Sequence, residues 1–501
     1  MFKAGRAAAT TIGAVCAVAL FAGNAAAAGS PGGSSIGDSY YPNDGNTGYD
    51  VGHYDLRLNY QPKGDQLAGT ATILLTPTTD LSSFSLDFGL QTDSVLVDNA
   101  KAEFAKKDAK LRITPKTDLP KGKQVTVVVR YHGVPSQVSI NGEKDWVAGP
   151  DGALAAQEPH MAAFWYPVND HPRDKASYDI SVAVPKGLQA ISNGDLVGES
   201  NPTADTTRYS WRQPKPQAPY LTLLAIGKYE IDKGKTPGGL PFITAYQKTL
   251  GDSLNAAKAS VQRTPEVLDF EARNFGKYPF EAQGGVVSSQ LSFSLETQTR
   301  PIYGAKNFAK GTNLGLIAHE NAHQWFGDST SVHDWRNIWL NEGFATYASW
   351  LWSEHSGEGT TQQLMDSLYA ETPAGDKKWD ILPGNPGPDN QFDSFAVYDR
   401  SAMAVQALRN VVGDKAFFAI LHAWTAKLRY STGTIPQFTA LAEQISGKPV
   451  KRLLDTWLFT AGKPAHTAQN GFPATQRVST QAPKSLPQIE RNNRLLASQH
   501  H

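Results

Sequence analysis

The sequence predicts an α+β multidomain chain in which an antiparallel β sandwich or saddle is followed by a mostly helical second half. Three observations carry that expectation. At 501 residues the chain is too long for one ordinary core and divides into two or more folded units. Its first half alternates apolar and polar residues at a period of two, at Tyr54, Leu56, Leu58 and Tyr60, then Phe84, Leu86 and Phe88, then Val125, Val127 and Val129. Turn signals such as PKGD, PTTD, LPKGK and SNGD separate these runs. From about Gly251 the apolar spacing changes to three and four, in SLNAAKASVQRTPEVLDFEARNF and SAMAVQALRNVV, which suits helices with one buried side. Hydrophobic residues at 40% and charged ones at 19% are the balance of a soluble globular protein, not of a disordered or membrane-embedded one.

The chain opens with MFKAGRAAATTIGAVCAVALFAGNAAAA: Lys3 and Arg6, an apolar stretch too short to span a bilayer, then small residues of the A-x-A kind. That pattern predicts an export signal over 1–28 and a secreted, extracellular protein. Cleavage near Ala27 or Ala28 removes two basic and no acidic residues, so 47 of each become 45 basic and 47 acidic, a net charge of −2. No polybasic surface for nucleic acid is expected. The only cysteine, Cys16, lies inside this stretch, so the mature protein carries no disulfide and depends on its core and a metal for stability. A lipid anchor at Cys16 is the other reading, but GAVC lacks the usual Leu three residues before the cysteine. No membrane contact is expected after cleavage, and the expected assembly state is a monomer. Residues 29–48 read as a Gly/Ser/Pro linker, 49–230 as the β domain, 231–464 as the mostly helical second domain, and 465–501, rich in Gln, Pro, Ser and Asn, as a poorly ordered tail.

The chemistry concentrates in LIAHENAHQWFGDSTSVHDWRNIWLNEGFATY. His319, Glu320 and His323 form H-E-x-x-H, and on a helix the two histidines stand one turn apart, so both imidazoles face one point, as a zinc clamp requires. Glu320, beside the first histidine, is placed to accept a proton from the attacking water without being a ligand. A catalytic zinc site normally takes three protein ligands. Glu342, in W-L-N-E-G-F-A-T-Y, is the candidate third ligand, since eighteen residues after His323 leave room for a second helix to return. H-E-x-x-H alone arises by chance in long chains. The glutamate downstream, the apolar Leu316, Ile317, Trp325 and Phe326, and the lack of cysteine ligands favour one zinc ion per chain. His160, His171 and His333 have no ligand spacing and read as surface or structural histidines.

H-E-N-A-H-Q-W-F-G-D followed by W-L-N-E-G-F-A resembles the aminopeptidase N family of zinc metallopeptidases, the gluzincins that include the leukotriene-hydrolase type. The resemblance extends over roughly Tyr49 to Pro464 and takes in A-Q-E-P and W-Y-P-V-N-D-H-P-x-D-K-A between Gln157 and Ala176. It implies a saddle-like β domain followed by a thermolysin-like catalytic domain. It also implies aminopeptidase activity, in which N-terminal residues are hydrolysed from peptides with a free amine, and with the export pattern this makes a secreted enzyme the expectation. F-S-L-E-T resembles the family's G-x-M-E-N motif, which assigns Glu296 as the holder of the substrate's α-amino group. Here Phe293, Leu295 and Thr297 replace the family's Gly, Met and Asn. V-Y-D-R-S-A resembles the family's V-Y-E-K-G-A, which assigns Tyr398 to the tetrahedral oxyanion. By the same resemblance Gln157 and Glu158 lie along the first-residue pocket. After L-L-D-T-W-L-F-T-A-G-K-P the chain leaves no room for the large helical C-terminal domain of many relatives, so a short bacterial-type member with a more open cleft is expected. The competing readings are a secreted zinc endopeptidase and a catalytically weak peptide-binding relative; leukotriene-type epoxide hydrolysis fits the same site, but no residue argues for it. A carboxylate at Glu296 speaks for the aminopeptidase, because it pairs with an ammonium found only on a first residue.

Overall fold

The computed structural model describes Met1, residues 28–473 and residues 482–500, so all but the two ends of the predicted export signal lies outside the described residues. In the N-terminal half the alternating runs become strands of an eight-stranded sheet. Its order is Asp195–Thr203, Thr206–Gln217, Ala176–Pro185, Tyr49–Gln61, Gln66–Pro77, Val125–Gly133, Gln91–Val97 and Ala100–Lys101. Neighbours are antiparallel except where Ala176–Pro185 runs beside Tyr49–Gln61 in parallel, Tyr178 opposite Tyr54. The residues singled out by alternation are the ones buried: Tyr54, Leu56, Leu58, Tyr60, Val127 and Val129 have no exposed surface. Period two puts them on one face, where they meet a smaller sheet containing Phe84 and Leu86.

A five-stranded sheet then joins the halves, in the order Tyr229–Lys235, Pro241–Gln247, Gln283–Ser288, Ile302–Gly304 and Ser294–Leu295. Its inner strands are apolar on both faces, whereas the edge strand Tyr229–Lys235 is largely exposed. Ala245, Val286 and Ile302 belong to the N-terminal core, while the adjacent Tyr246, Val287 and Tyr303 belong to the helical core. The chain boundary near residue 230 is therefore not a boundary between cores.

The helical half contains α1 (Leu254–Val261), α2 (Thr264–Phe275), α3 (Leu314–Ala322), α4 (Trp339–Ser356), α5 (Thr361–Glu371), α6 (Arg400–Val412), α7 (Asp414–Lys427), α8 (Ile435–Ser446), α9 (Lys451–Phe459) and α10 (Leu486–Leu496). The helical pattern of SLNAAKASVQRTPEVLDFEARNF divides into α1 and α2 because Pro265 has no N–H to continue α1 but fits the first turn of a new helix. Among the described residues no helix is long and apolar enough to cross a membrane.

Two expectations need correction. Residues 29–48 are not a free linker but a strap packed across both halves. Asp38 is buried and accepts from Trp335 N at 2.9 Å while lying 3.1 Å from His171 Nε2. The Tyr40 hydroxyl donates to Asn385 Oδ1 at 2.7 Å, and Tyr41 donates to Gln391 Oε1 at 2.8 Å. The strap's low hydropathy conceals this packing, because it is held by side-chain hydrogen bonds and not by an apolar stripe. The tail expected to be poorly ordered contains α10, whose Leu486, Ile489 and Leu496 join the helical core. Its buried stripe is interrupted by Asn492 and Asn493, which hides the helical period from an apolar count. The histidines set aside as surface or structural are built into the frame. His160 lies 2.9 Å from Asp44 and 2.7 Å from Glu143, and those two carboxylates hold its pKa well above the usual value against the opposing cost of burial.

Candidate metal centre

Helix α3 is capped by Asn313, whose Oδ1 accepts from Leu316 N at 3.2 Å. It presents His319 toward His323, which closes its last turn. After His323 the chain turns sharply, and Phe326 stacks on Phe344 of α4 with ring centroids 4.8 Å apart and planes 10° from parallel. This stacking brings the first turn of α4, with Glu342, against the histidines. Gly343 lets α4 sit close to α6: a Cβ there would lie 2.8 Å from the Trp339 ring and 3.1 Å from Ser401 Cβ.

Three ligating groups converge. His319 Nε2 is 3.3 Å from His323 Nε2 and 3.2 Å from Glu342 Oε2, and His323 Nε2 is 3.7 Å from Glu342 Oε1. His323 Nδ1 donates to Phe326 O at 3.0 Å, which turns the Nε2 lone pair inward. A tetrahedron with bonds of about 2.0–2.1 Å has edges of about 3.3–3.4 Å, close to these separations. Glu342 Oε2 is buried and accepts no hydrogen bond. Two nitrogens and a carboxylate converging at this spacing, with an orphaned oxygen among them, fit a zinc ion. Burial pushes the His319 imidazole down to about 3, so it is a neutral donor at neutral pH, and pushes the Glu342 carboxyl up to about 7.

Around this centre stand further acids. Glu320, 1% exposed, has an unpartnered Oε1 and shares a second close grouping with Glu296 and His323. Burial, then Glu296 and Glu342, raise the Glu320 carboxyl far above its ordinary range. Glu296 follows the edge strand Ser294–Leu295, and its Oε1 accepts from the Tyr220 hydroxyl at 3.2 Å. Its loop is tied to the metal helix, since Gln324 Nε2 donates to Glu296 O at 3.1 Å and Thr299 N donates to Gln324 Oε1 at 2.8 Å. Thr299 holds φ +67°, a strained value for a β-branched residue that these bonds enforce. Glu158 is buried with an unpartnered Oε1; burial, then Glu296, Glu342 and Glu320, raise its carboxyl. Gln157, on the same loop, is half-buried. Tyr398 sits in a π-helical turn, Ser394–Asp399, of the kind that often marks functional positions, and its ring lies over His319 at 5.9 Å and 27°. His319, Glu320, His323, Glu342 and Tyr398 are each no more than 3% exposed, and the Tyr398 ring packs over His319.

The structure thus brings together seven of the eight residues singled out in the sequence, with Gln157 at the margin. Tyr220 and Gln324 were missed. Gln324 could have been suspected from its place one residue after the second histidine, whereas nothing local marks Tyr220, which meets Glu296 across 76 residues of chain.

Gly327 provides a test of the pocket's tightness. Its φ is +138°, and a Cβ would lie 3.2 Å from His323 Nδ1, at the atom whose bond to Phe326 O fixes the ring. Gly327→Ala is expected to weaken zinc retention by about tenfold or more against a competing chelator, in the range seen when a ligand's supporting bond is lost. Wild-type retention would show that the ring is not held from this side.

Residues 51–221 match the family model described as the Peptidase M1 N-terminal domain, and residues 305–457 match the Peptidase family M1 domain. Aminopeptidase M1 of Arabidopsis thaliana is 24% identical over 464 residues, which are 83% of this chain and 51% of the relative. Aminopeptidase N of Lactococcus lactis subsp. lactis is 25% identical over 412 residues, 76% of this chain and 47% of the relative. The chain spans about half the length of these curated relatives, and 36% of some others. Among solved structures, a mutant M1 zinc metallopeptidase from Deinococcus radiodurans bound to a Tyr-Ser-Ala substrate superposes with a TM-score of 0.77 at 27% identity, covering 86% of this chain and 98% of that one. A two-domain M1 zinc metallopeptidase mutant bound to L-arginine gives the same TM-score at 26% identity, with 86% and 99% covered.

Proposed function

Because the chain belongs to peptidase family M1, we propose that it is a zinc aminopeptidase that removes the first residue from peptides with a free amine. The observation that carries the proposal is the joint placement of a buried His319/His323/Glu342 acceptor triad and, beside it, two carboxylates that are not part of that triad, Glu320 and Glu296. When bound, zinc acidifies water and polarises the scissile carbonyl. Glu320 Oε1, buried and unpartnered, takes the proton from the attacking water and returns it to the leaving amine. The Tyr398 hydroxyl donates to the oxygen of the tetrahedral intermediate. Glu296, steadied by Tyr220, pairs with the substrate ammonium and so fixes which peptide bond reaches the centre. Glu158 and Gln157 line the place of the first side chain. Export rests on the Met1–Ala28 pattern, and the N-terminal sequence of protein recovered from the medium tests it. A monomer remains the proposed state, which sedimentation tests.

Aminoacyl fluorogenic substrates in free and N-acetylated form, run with and without a chelator, test the activity. Hydrolysis of the free forms is expected to exceed that of the acetylated forms by about a hundredfold or more, and the chelator is expected to abolish both. Equal rates on both forms would mark an endopeptidase, and unimpaired turnover in chelator would remove the metal from the reaction.

A further inference from the structure

The C-terminal helix reaches both elements of the site through adjacent side chains. Asn313 Nδ2 donates to Asn492 Oδ1 at 2.8 Å, and Asn492 Nδ2 donates back to Asn313 Oδ1 at 3.0 Å. Asn313 is the residue that caps α3. One position on, Asn493 Nδ2 donates to Asp399 Oδ1 at 2.7 Å, and Asp399 ends the turn that carries Tyr398. Successive residues of a helix project about 100° apart, so one turn of α10 reaches two neighbours at once. Both asparagines are buried, at 4% and 3% exposure, within a stripe whose other members are Leu486, Ile489 and Leu496. Amides in such a stripe are costly unless bonded, and a slip of one residue along the helix would leave both unpaired. Gln488 Nε2, donating to Thr312 O at 3.0 Å, fixes the same register.

We infer that α10 is a positioning clamp for the hydrolytic site: Asn492 holds the start of the metal helix and Asn493 holds the Tyr398 turn. The spacing of 5.9 Å between the His319 and Tyr398 rings is then set from outside the cleft. This inference rests on Tyr398 acting in the proposed reaction. Asn493 and Asn492 touch neither substrate nor metal; they act through Tyr398 and α3.

The test uses the full-length chain with Asn493→Ala, Asn493→Ser, Tyr398→Phe and the double variant Asn493→Ala/Tyr398→Phe. Asn493→Ala is expected to lower kcat by about 10–100-fold, the range for a displaced catalytic group, with KM and zinc content kept. Asn493→Ser, which retains a short donor, is expected to recover part of the loss. On the Tyr398→Phe background Asn493→Ala should add little, because both changes remove one contribution. Amide hydrogen exchange over residues 394–399 should quicken about tenfold in Asn493→Ala, as expected where one hydrogen bond holds the turn. Wild-type kcat with unchanged exchange would overturn the clamp. So would a loss that repeats in full on Tyr398→Phe, or one accompanied by zinc loss and raised KM, since either marks a merely structural role. A wild-type protein without aminopeptidase activity would overturn the function reading instead, and the exchange measurement would then decide the clamp by itself.

Discussion

Glu320→Gln is expected to bind zinc at full stoichiometry and to turn over free-amino substrates at least about a hundredfold more slowly, the usual contribution of a general base. The substitution separates two roles that the H-E-x-x-H motif places side by side. The acceptor triad lies within 4.8 Å of itself without Glu320, so the metal has no need of that side chain. The amide has nearly the shape of the carboxylate and fits the same buried place, 1% exposed. It differs in that it cannot accept the proton of the attacking water. Metal analysis and kcat on one aminoacyl substrate check the result together. Near-normal turnover would mean that another group is the base. Loss of zinc would mean that Glu320 supports the ligands directly.

The second large effect concerns which bond is cut. Glu296→Ala is expected to lower kcat/KM on free-amino substrates by about a hundredfold, as the loss of a buried charge-assisted bond implies, and to leave the slow acetylated substrates almost unchanged. Glu296 directly follows the edge strand of the five-stranded sheet, with its loop gripped by Gln324 just past the metal helix, so its carboxylate keeps a fixed position relative to the ligands. Glu296→Gln should fall between wild type and Glu296→Ala, because an amide retains the bond from Tyr220 but loses the charge. The ratio of free to acetylated rates is the quantity to measure. If the wild type prefers free amines and Glu296→Ala keeps that preference, the ammonium is held elsewhere, with Glu158 and Gln157 the next residues to change.

What was legible in the sequence is what repeats at a local period. Two histidines one helical turn apart, alternation at Tyr54 to Tyr60, and Glu342 at the start of a second apolar helix are all set by spacing along the chain. Glu296 and Tyr398 have no such spacing and entered through family resemblance, and the structure places both beside the triad. Illegible were the contacts made by polar side chains across long separations. Tyr220 is invisible without the fold that brings it to Glu296, and Asp38 pairs with His171 across 133 residues. The C-terminal helix was lost for a related reason: a buried stripe containing Asn492 and Asn493 reads as polar, although those asparagines are buried because they are paired.

The sheet between the two cores has a thermodynamic consequence. Its inner strands are dry on both faces and lose a partner whichever neighbour departs: opening the β half exposes Ala245, Val286 and Ile302, and opening the helical half exposes Tyr246, Val287 and Tyr303. The two halves are therefore linked in cooperativity although they differ in fold class, and the melting of either weakens the sheet whose edge strand leads into Glu296. On the proposed role of Glu296, a chain that has lost either core would lose substrate discrimination as well. The proposed peptide-bond selection is in this sense a property of the whole assembled chain.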